Sequence, residues 1–185
     1  IQETAPGTGY LHTDTRVRPF QIRQEGVIVR FGEAEGQAAY NQVKRGDVEF
    51  VKVRETDQHR LAGVPFLIES ATTGEAHVIV TDENGEAKTA SEWNPHSQNT
   101  NGNDAAVGED GTVDEARLDP TAGLWFGLTT EGWTVEVQDD LGALPYDTYF
   151  VRELPCSANA GVELVSILLN VRRDGYQVDL GSVDD

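Results

Sequence analysis

Residues 46–53 read Gly46-Asp47-Val48-Glu49-Phe50-Val51-Lys52-Val53, a run rich in β-branched and aromatic residues that starts at a glycine. Such a run predicts a β-strand. Successive side chains of a strand point to opposite faces, so Val48, Phe50 and Lys52 share one face. If the two apolar residues face a core, the lysine follows them. The stretch therefore predicts a strand that aims a lysine into an apolar interior.

Six more short runs carry the same strand signals, and Gly, Pro, Asn and Asp fall between them. No window shows a sustained helical period. Seven short strands separated by turns predict an all-β sandwich. The six further strands are Val64–Ser70, His77–Thr81, Trp133–Val137, Tyr149–Glu153, Val165–Val171 and Tyr176–Leu180.

Residues 90–123 interrupt this rhythm with a long polar and acidic run. A loop of this length inside a compact domain is usually functional or disordered. Trp93 and Trp125 flank or follow it, and they either offer a surface to a glycan or peptide or anchor the loop to the core. Asn99–Asp104 has oxygen-bearing side chains at alternate positions, but it lacks the placed glycine and distal glutamate of a calcium loop. The sequence therefore predicts no metal site.

The sequence contains an internal repeat, whose two copies lie about 150 residues apart. The segment Phe20–Gly32 aligns with Leu169–Gly181, and Glu3-Thr4-Ala5-Pro6 matches Glu153-Leu154-Pro155. Repetition at a fixed period is the signature of an array of structural units, here of domain size.

The repeat suggests how the chain is organised. We interpret residues 1–45 as the C-terminal strands of a preceding module. Residues 46–185 then form a second module with an insertion at about 90–123. Modules in series form rods, and rods have mechanical roles.

Composition narrows the classes of function. A net charge of −18 excludes nucleic acid as a natural partner and disfavours an anionic membrane surface. No apolar stretch approaches the roughly 20 residues that span a bilayer. Cys156 is the only cysteine, so any internal crosslink must use other chemistry. No nucleophile elbow or phosphate loop is present, which predicts a protein that is not an enzyme and needs no cofactor.

Four segments of the chain form an ordered set of motifs: Gly46–Val53, Leu61–Phe66, Thr81–Gly85 and Tyr149–Glu153. Taken in order, they resemble the Cna B-type or SpaA-like domains, the prealbumin-like stalk modules of Gram-positive surface adhesins and pilins. The resemblance implies a Greek-key-type β-sandwich in a cell-wall-anchored extracellular protein whose partners are neighbouring modules of the same polypeptide. The loop at 91–120 departs from the minimal family pattern. The alternative function is therefore recognition of a host glycan or matrix protein through that loop.

In that family a lysine on the first strand forms an isopeptide bond with Asn or Asp on the last strand, and a glutamate on a middle strand promotes the reaction. The resemblance implies Lys52 as the lysine and Glu153 as the glutamate. Burial favours the neutral, nucleophilic form of an amine and the proton-carrying form of a carboxyl group. A plain buried salt bridge without a covalent bond is the alternative interpretation.

The acceptor is inferred from the repeat. In the first copy Asn41 follows the hairpin, so Glu3 and Asn41 are interpreted as two parts of the preceding module's bond. In the second module Asp184 shares strand parity with Val178 and Leu180 and is the candidate acceptor within the chain.

Overall fold

The computed structural model describes residues 2–21, 23–26, 28, 41–127 and 135–184. The chain divides into two compact units, Ile1–Lys44 and Arg45–Asp185. In the smaller unit, Tyr10 forms an antiparallel bridge with Val43. The described residues of the larger unit contain eight strands, which we number in chain order. These are β1 (Arg45–Lys52), β2 (Pro65–Ser70), β3 (Ala76–Val80), β4 (Glu86–Lys88), β5 (Leu144–Pro145), β6 (Asp147–Glu153), β7 (Ser166–Val171) and β8 (Gln177–Val183).

The strands of the larger unit form two sheets that share one core. One sheet has β1 at its centre, paired with β4, β5 and β8, and the other runs in the order β3-β2-β6-β7. Alternate residues of β1 and β2 point inward, and Phe50 meets Phe66 edge to face with ring centroids 4.8 Å apart. Burying each such side chain contributes about 1.5–3 kcal/mol. The predicted all-β sandwich is confirmed.

Most strand boundaries agree with the sequence prediction. The strand expected at Trp133–Val137 is the exception, because residues 133 and 134 lie outside the described part and residues 135–137 are not in a strand. Much of the first-copy hairpin at 20–32 also lies outside the described residues. The sequence analysis missed β4 and β5, which span three and two residues and are too short to display an alternating pattern.

The first and last strands of the larger unit lie side by side. β8 runs parallel to β1, with Asp47 opposite Gln177 and Lys52 opposite Val183. The register shifts midway, so that the pairing skips Leu180 and Gly181. Gly181 has a positive φ of 67°, a conformation that glycine adopts at little cost and that suits a β-bulge.

The insertion at 90–123 is folded against its own unit. The insertion contains two short 3-10 turns, Gly102–Ala106 and Glu115–Arg117. Buried Asn103 both donates to and accepts from the backbone of Asp119, at 2.9 and 2.7 Å. Asn101 makes the same two bonds to the backbone of Trp125, both at 2.9 Å. In the insertion, side-chain amides therefore provide the long-range hydrogen bonds that strand pairing provides elsewhere in the unit.

Candidate functional site

A buried amine and a buried carboxylate meet between the two sheets. Lys52 is the last residue of β1 and Glu153 the last residue of β6, and neither side chain is exposed to solvent. The Lys52 Nζ lies 3.2 Å from Glu153 Oε2. The sequence prediction that strand alternation carries both residues inward agrees with this geometry. Two charges so deeply buried are costly unless each is closely matched by partners.

The Glu153 carboxylate is held at both of its oxygens. Oε1 accepts a hydrogen bond of 2.8 Å from the Asn159 side-chain amide. Oε2, the oxygen that faces the lysine, also accepts a 3.1 Å bond from the Val165 backbone N–H. These neutral donors fix the direction of the carboxylate toward Lys52.

Asn159 was not predicted from the sequence as a site residue. Asn159 ends a 3-10 turn, Ser157–Asn159, that follows β6, and its side chain is buried, at 3% exposure. An asparagine in a short turn-forming run six residues after Glu153 was the available signal.

The predicted acceptor Asp184 does not share the inward face. Its parity was counted from Val178 and Leu180, but the β-bulge at Gly181 shifts the alternation by one residue. Val183 is consequently the buried residue, at 5% exposure, and Asp184 is exposed. The prediction of an inward Asp184 is therefore wrong.

In the smaller unit, Glu3 and Asn41 are brought together across 38 positions of sequence. The Asn41 amide nitrogen donates to Glu3 Oε2 at 2.7 Å. The Asn41 oxygen accepts from the backbone N–H groups of Thr13 and Asp14, at 3.2 and 3.4 Å. The arrangement pairs a glutamate with a carboxamide, as the repeat predicts, and their roles in a bond stay a prediction.

The two tryptophans proposed for ligand binding have different environments. Trp125 is fully buried, so the prediction that it contacts a ligand is wrong. The guanidinium of Arg45 lies 3.7 Å from the centre of its ring. Trp93 is 57% exposed and is covered on one face by the ammonium of Lys88 at 3.9 Å.

A second buried charge cluster joins the insertion to β3. His77 is 5% exposed, and its ring nitrogens lie 2.7 Å from an Asp104 oxygen and 3.0 Å from a Glu75 oxygen. Burial by itself would lower the pKa of His77, but the hydrogen bonds to Asp104 and Glu75 outweigh it and raise the pKa to about 9. The imidazolium form therefore binds the insertion to the sheet at neutral pH.

Because of this cluster, the free energy of unfolding is expected to decrease at alkaline pH. Because the folded pKa of about 9 lies above the usual 6.5, the stabilisation is complete below about pH 6.5 and is lost as pH rises through about 9. We expect the thermal unfolding midpoint to fall between pH 7 and pH 10, by an amount equivalent to about 2–3 kcal/mol. His77→Gln should flatten this dependence, and His59→Gln, at an exposed histidine, should leave it unchanged. Equal pH profiles for both variants would contradict the assignment.

The part of the chain that the structure describes contains no group of three or more His, Cys, Asp or Glu side chains suited to a metal ion. Within the same residues, no helix has the length and apolar character to cross a bilayer.

No known family model matches the chain, and no curated protein matches it either. Several solved structures do. The Bacillus anthracis TIE protein is 15% identical, with a TM-score of 0.49 over 97% of this chain and 23% of its own. BcpA, the major pilin subunit of Bacillus cereus, is 14% identical, with a TM-score of 0.38 over 78% of this chain and 31% of its own. The group B streptococcus pilus 2b backbone protein is 11% identical, with a TM-score of 0.38 over 83% of this chain and 45% of its own.

This chain thus spans less than half the length of each of these three proteins.

Proposed function

We propose that this chain is a load-bearing stalk segment of a Gram-positive cell-surface or pilus-like protein, anchored to the cell wall outside the cell. In its larger unit, Lys52 forms an isopeptide bond with an acidic or amide side chain near the end of β8. The observation that carries the proposal is the buried Lys52–Glu153 pair at the end of β1, beside the parallel last strand. Its natural partners are neighbouring modules of the same polypeptide.

The strand arrangement supports a mechanical role. Because β1 and β8 are parallel neighbours, tension on the start of β1 and the end of β8 pulls them in opposite directions along their length. All hydrogen bonds between the two strands are then loaded in shear at the same time and resist the tension together. A covalent bond from Lys52 to a residue just beyond Val183 would carry the load directly from β1 to the end of β8. Strands β2–β7 would then bear no tension.

The chemistry requires a proton carrier beside the amine. Glu153 takes a proton from the Lys52 ammonium, and the neutral Nζ attacks the carbonyl carbon of the acceptor. A C–N bond forms, and the acceptor's C–OH or C–NH₂ bond breaks. Glu153 returns this proton to the departing group, which leaves as water or ammonia, and Glu153 then takes up the second proton that the attacking nitrogen loses as it becomes the amide N–H. The amine and the carboxylate are 3.2 Å apart, which is within reach for this proton transfer.

Two aspartates follow Val183, the last residue of β8, and are the candidate acceptors. Asp184 is exposed, so it needs a rearrangement to reach the interior. Asp185 lies outside the described residues. Variants at both aspartates therefore distinguish the candidates.

The proposal predicts a missing mass. The intact chain should be lighter than its sequence mass of 20.2 kDa by one water or one ammonia. Lys52→Ala and Glu153→Ala should restore the full mass, and whichever of Asp184→Ala or Asp185→Ala does so identifies the acceptor. A wild-type chain at full sequence mass, measured by electrospray mass spectrometry, would leave Lys52 and Glu153 as a salt bridge only.

The ligand-binding alternative has less support. It relied on the tryptophans of a surface loop, but Trp125 is buried and residues 90–123 pack on their own unit. Trp93 is exposed, but Lys88 already stacks on it. These contacts favour the stalk function.

A further inference from the structure

We infer that Asn159 is a positioning residue for the bond-forming step: it orients the Glu153 carboxylate toward Lys52. This inference rests on the isopeptide chemistry proposed above. Asn159 is 3% exposed, and its amide nitrogen donates to Glu153 Oε1 at 2.8 Å and to the Leu154 carbonyl at 2.9 Å. Its oxygen accepts from the Cys156 N–H at 2.8 Å. Each polar atom of the side chain is thus committed to a partner.

The two oxygens of the Glu153 carboxylate have different partners, and this difference indicates the role of Asn159. Asn159 occupies Oε1, whereas the lysine amine lies on Oε2. A carboxylate bound at one oxygen by a fixed donor cannot rotate freely about its last bond. Its second oxygen therefore stays directed at Lys52 Nζ, and the proton transfer occurs over a constant short distance.

The turn that contains Asn159 is tied to the strand that contains Glu153. The Cys156 N–H and the Leu154 carbonyl, which hold the Asn159 side chain, belong to the residues that follow Glu153 directly. The backbone N–H of Glu153 in turn donates to the Val165 carbonyl at 2.9 Å. Backbone groups between Glu153 and the turn thus fix the Asn159 side chain, and Val165 fixes the backbone of Glu153 itself.

A simple turn-capping role can be separated from a positioning role. An aspartate or serine oxygen at position 159 can still accept the Cys156 N–H, since both residues cap such turns well. Neither has an amide that donates to Glu153. Asn159→Asp therefore keeps the cap and removes both amide N–H donors. Asn159→Ser adds no buried charge, and its single O–H cannot donate to both Glu153 and the Leu154 carbonyl.

A matched control exists in the insertion. Asn103 is 1% exposed, and like Asn159 it donates through its nitrogen to one backbone carbonyl and accepts a backbone N–H through its oxygen. It has no contact with the Lys52–Glu153 pair among its hydrogen bonds. Asn103→Ser thus removes a comparable buried amide and reports the cost to folding alone.

The test follows the rate of crosslinking in the full 185-residue chain. Each variant is made by cell-free translation and quenched in denaturant at intervals. The crosslinked fraction is read from the mass loss, and near-ultraviolet circular dichroism reports folding. We expect Asn159→Ser and Asn159→Asp to fold and to crosslink at least tenfold more slowly than wild type. Asn103→Ser should crosslink at the wild-type rate.

Three outcomes would overturn the inference. If folded Asn159→Ser crosslinks as fast as wild type, Asn159 is a turn cap only, and the proposed function is untouched. If peptide mapping finds a bond between Lys52 and Asn159, Asn159 is the acceptor and not a positioning residue. If the wild-type chain itself keeps its full mass, the isopeptide chemistry fails, and the role of Asn159 in it fails too.

Discussion

Lys52→Met is expected to lower the free energy of unfolding of the larger unit by at least about 3–5 kcal/mol, the usual cost of removing one partner from a buried ion pair. Methionine fills a volume close to that of the lysine stem, so the main effect is an uncompensated Glu153 carboxylate in the interior. If the isopeptide bond forms, Lys52 Nζ is a neutral amide and no ion pair remains, and the expected loss is instead about 4–5 kcal/mol from removing the constraint on the unfolded chain. The measurement is urea unfolding of the variant, with intact mass determined on the same sample.

The double variant Lys52→Met/Glu153→Leu separates these contributions. Replacing a buried ion pair with apolar residues of similar size is often nearly neutral. We therefore expect the double variant to recover the 3–5 kcal/mol due to the stranded charge but not the contribution of the crosslink. A Lys52→Met variant as stable as wild type would mean that neither the pair nor a bond stabilises the fold.

Strand alternation was enough to predict from the sequence that Lys52 and Glu153 are buried. β1 and β6 are regular strands, so a period of two carries Lys52 and Glu153 inward with their apolar neighbours. The same reasoning failed on β8, because one bulged position exchanges the two faces for every residue after it. Asp184 was misplaced for that reason. The sequence signal for this bulge is a single glycine, Gly181, and many glycines in strands form no bulge.

Contacts between distant segments were beyond any local pattern. Asn159 reaches Glu153 through a turn whose geometry depends on the core beneath it. The insertion is ordered by single amides such as Asn101 and Asn103, which bond to backbone between about 16 and 24 residues away and leave no periodic trace. The composition of residues 90–123 therefore predicted a long loop but not the contacts that order it.

Arg45 is the buried charge that the sequence analysis did not anticipate. It is 1% exposed, and it donates to the carbonyls of Gly142, Phe126 and Ala143 at 2.6, 2.8 and 2.6 Å. Its guanidinium also stacks on Trp125. Burial lowers the pKa of Arg45 to about 10, so the group stays charged at neutral pH. It ties the start of β1 to two segments that lie far away in sequence.

Arg45→Leu should therefore destabilise the larger unit by at least about 3 kcal/mol, since it leaves buried carbonyl oxygens without a donor. Arg45→Lys should be nearly as damaging, because an ammonium group lacks the planar, forked donor set that reaches several carbonyls while it stacks on an aromatic ring. Arg173→Ala is a suitable control: its guanidinium stacks on Tyr176, but both residues are exposed, so the change should stay within about 0.5 kcal/mol. Urea unfolding monitored by tryptophan fluorescence measures all three. Wild-type stability in Arg45→Lys would show that charge alone, and not the fork and the stacking, is what this position supplies to the fold.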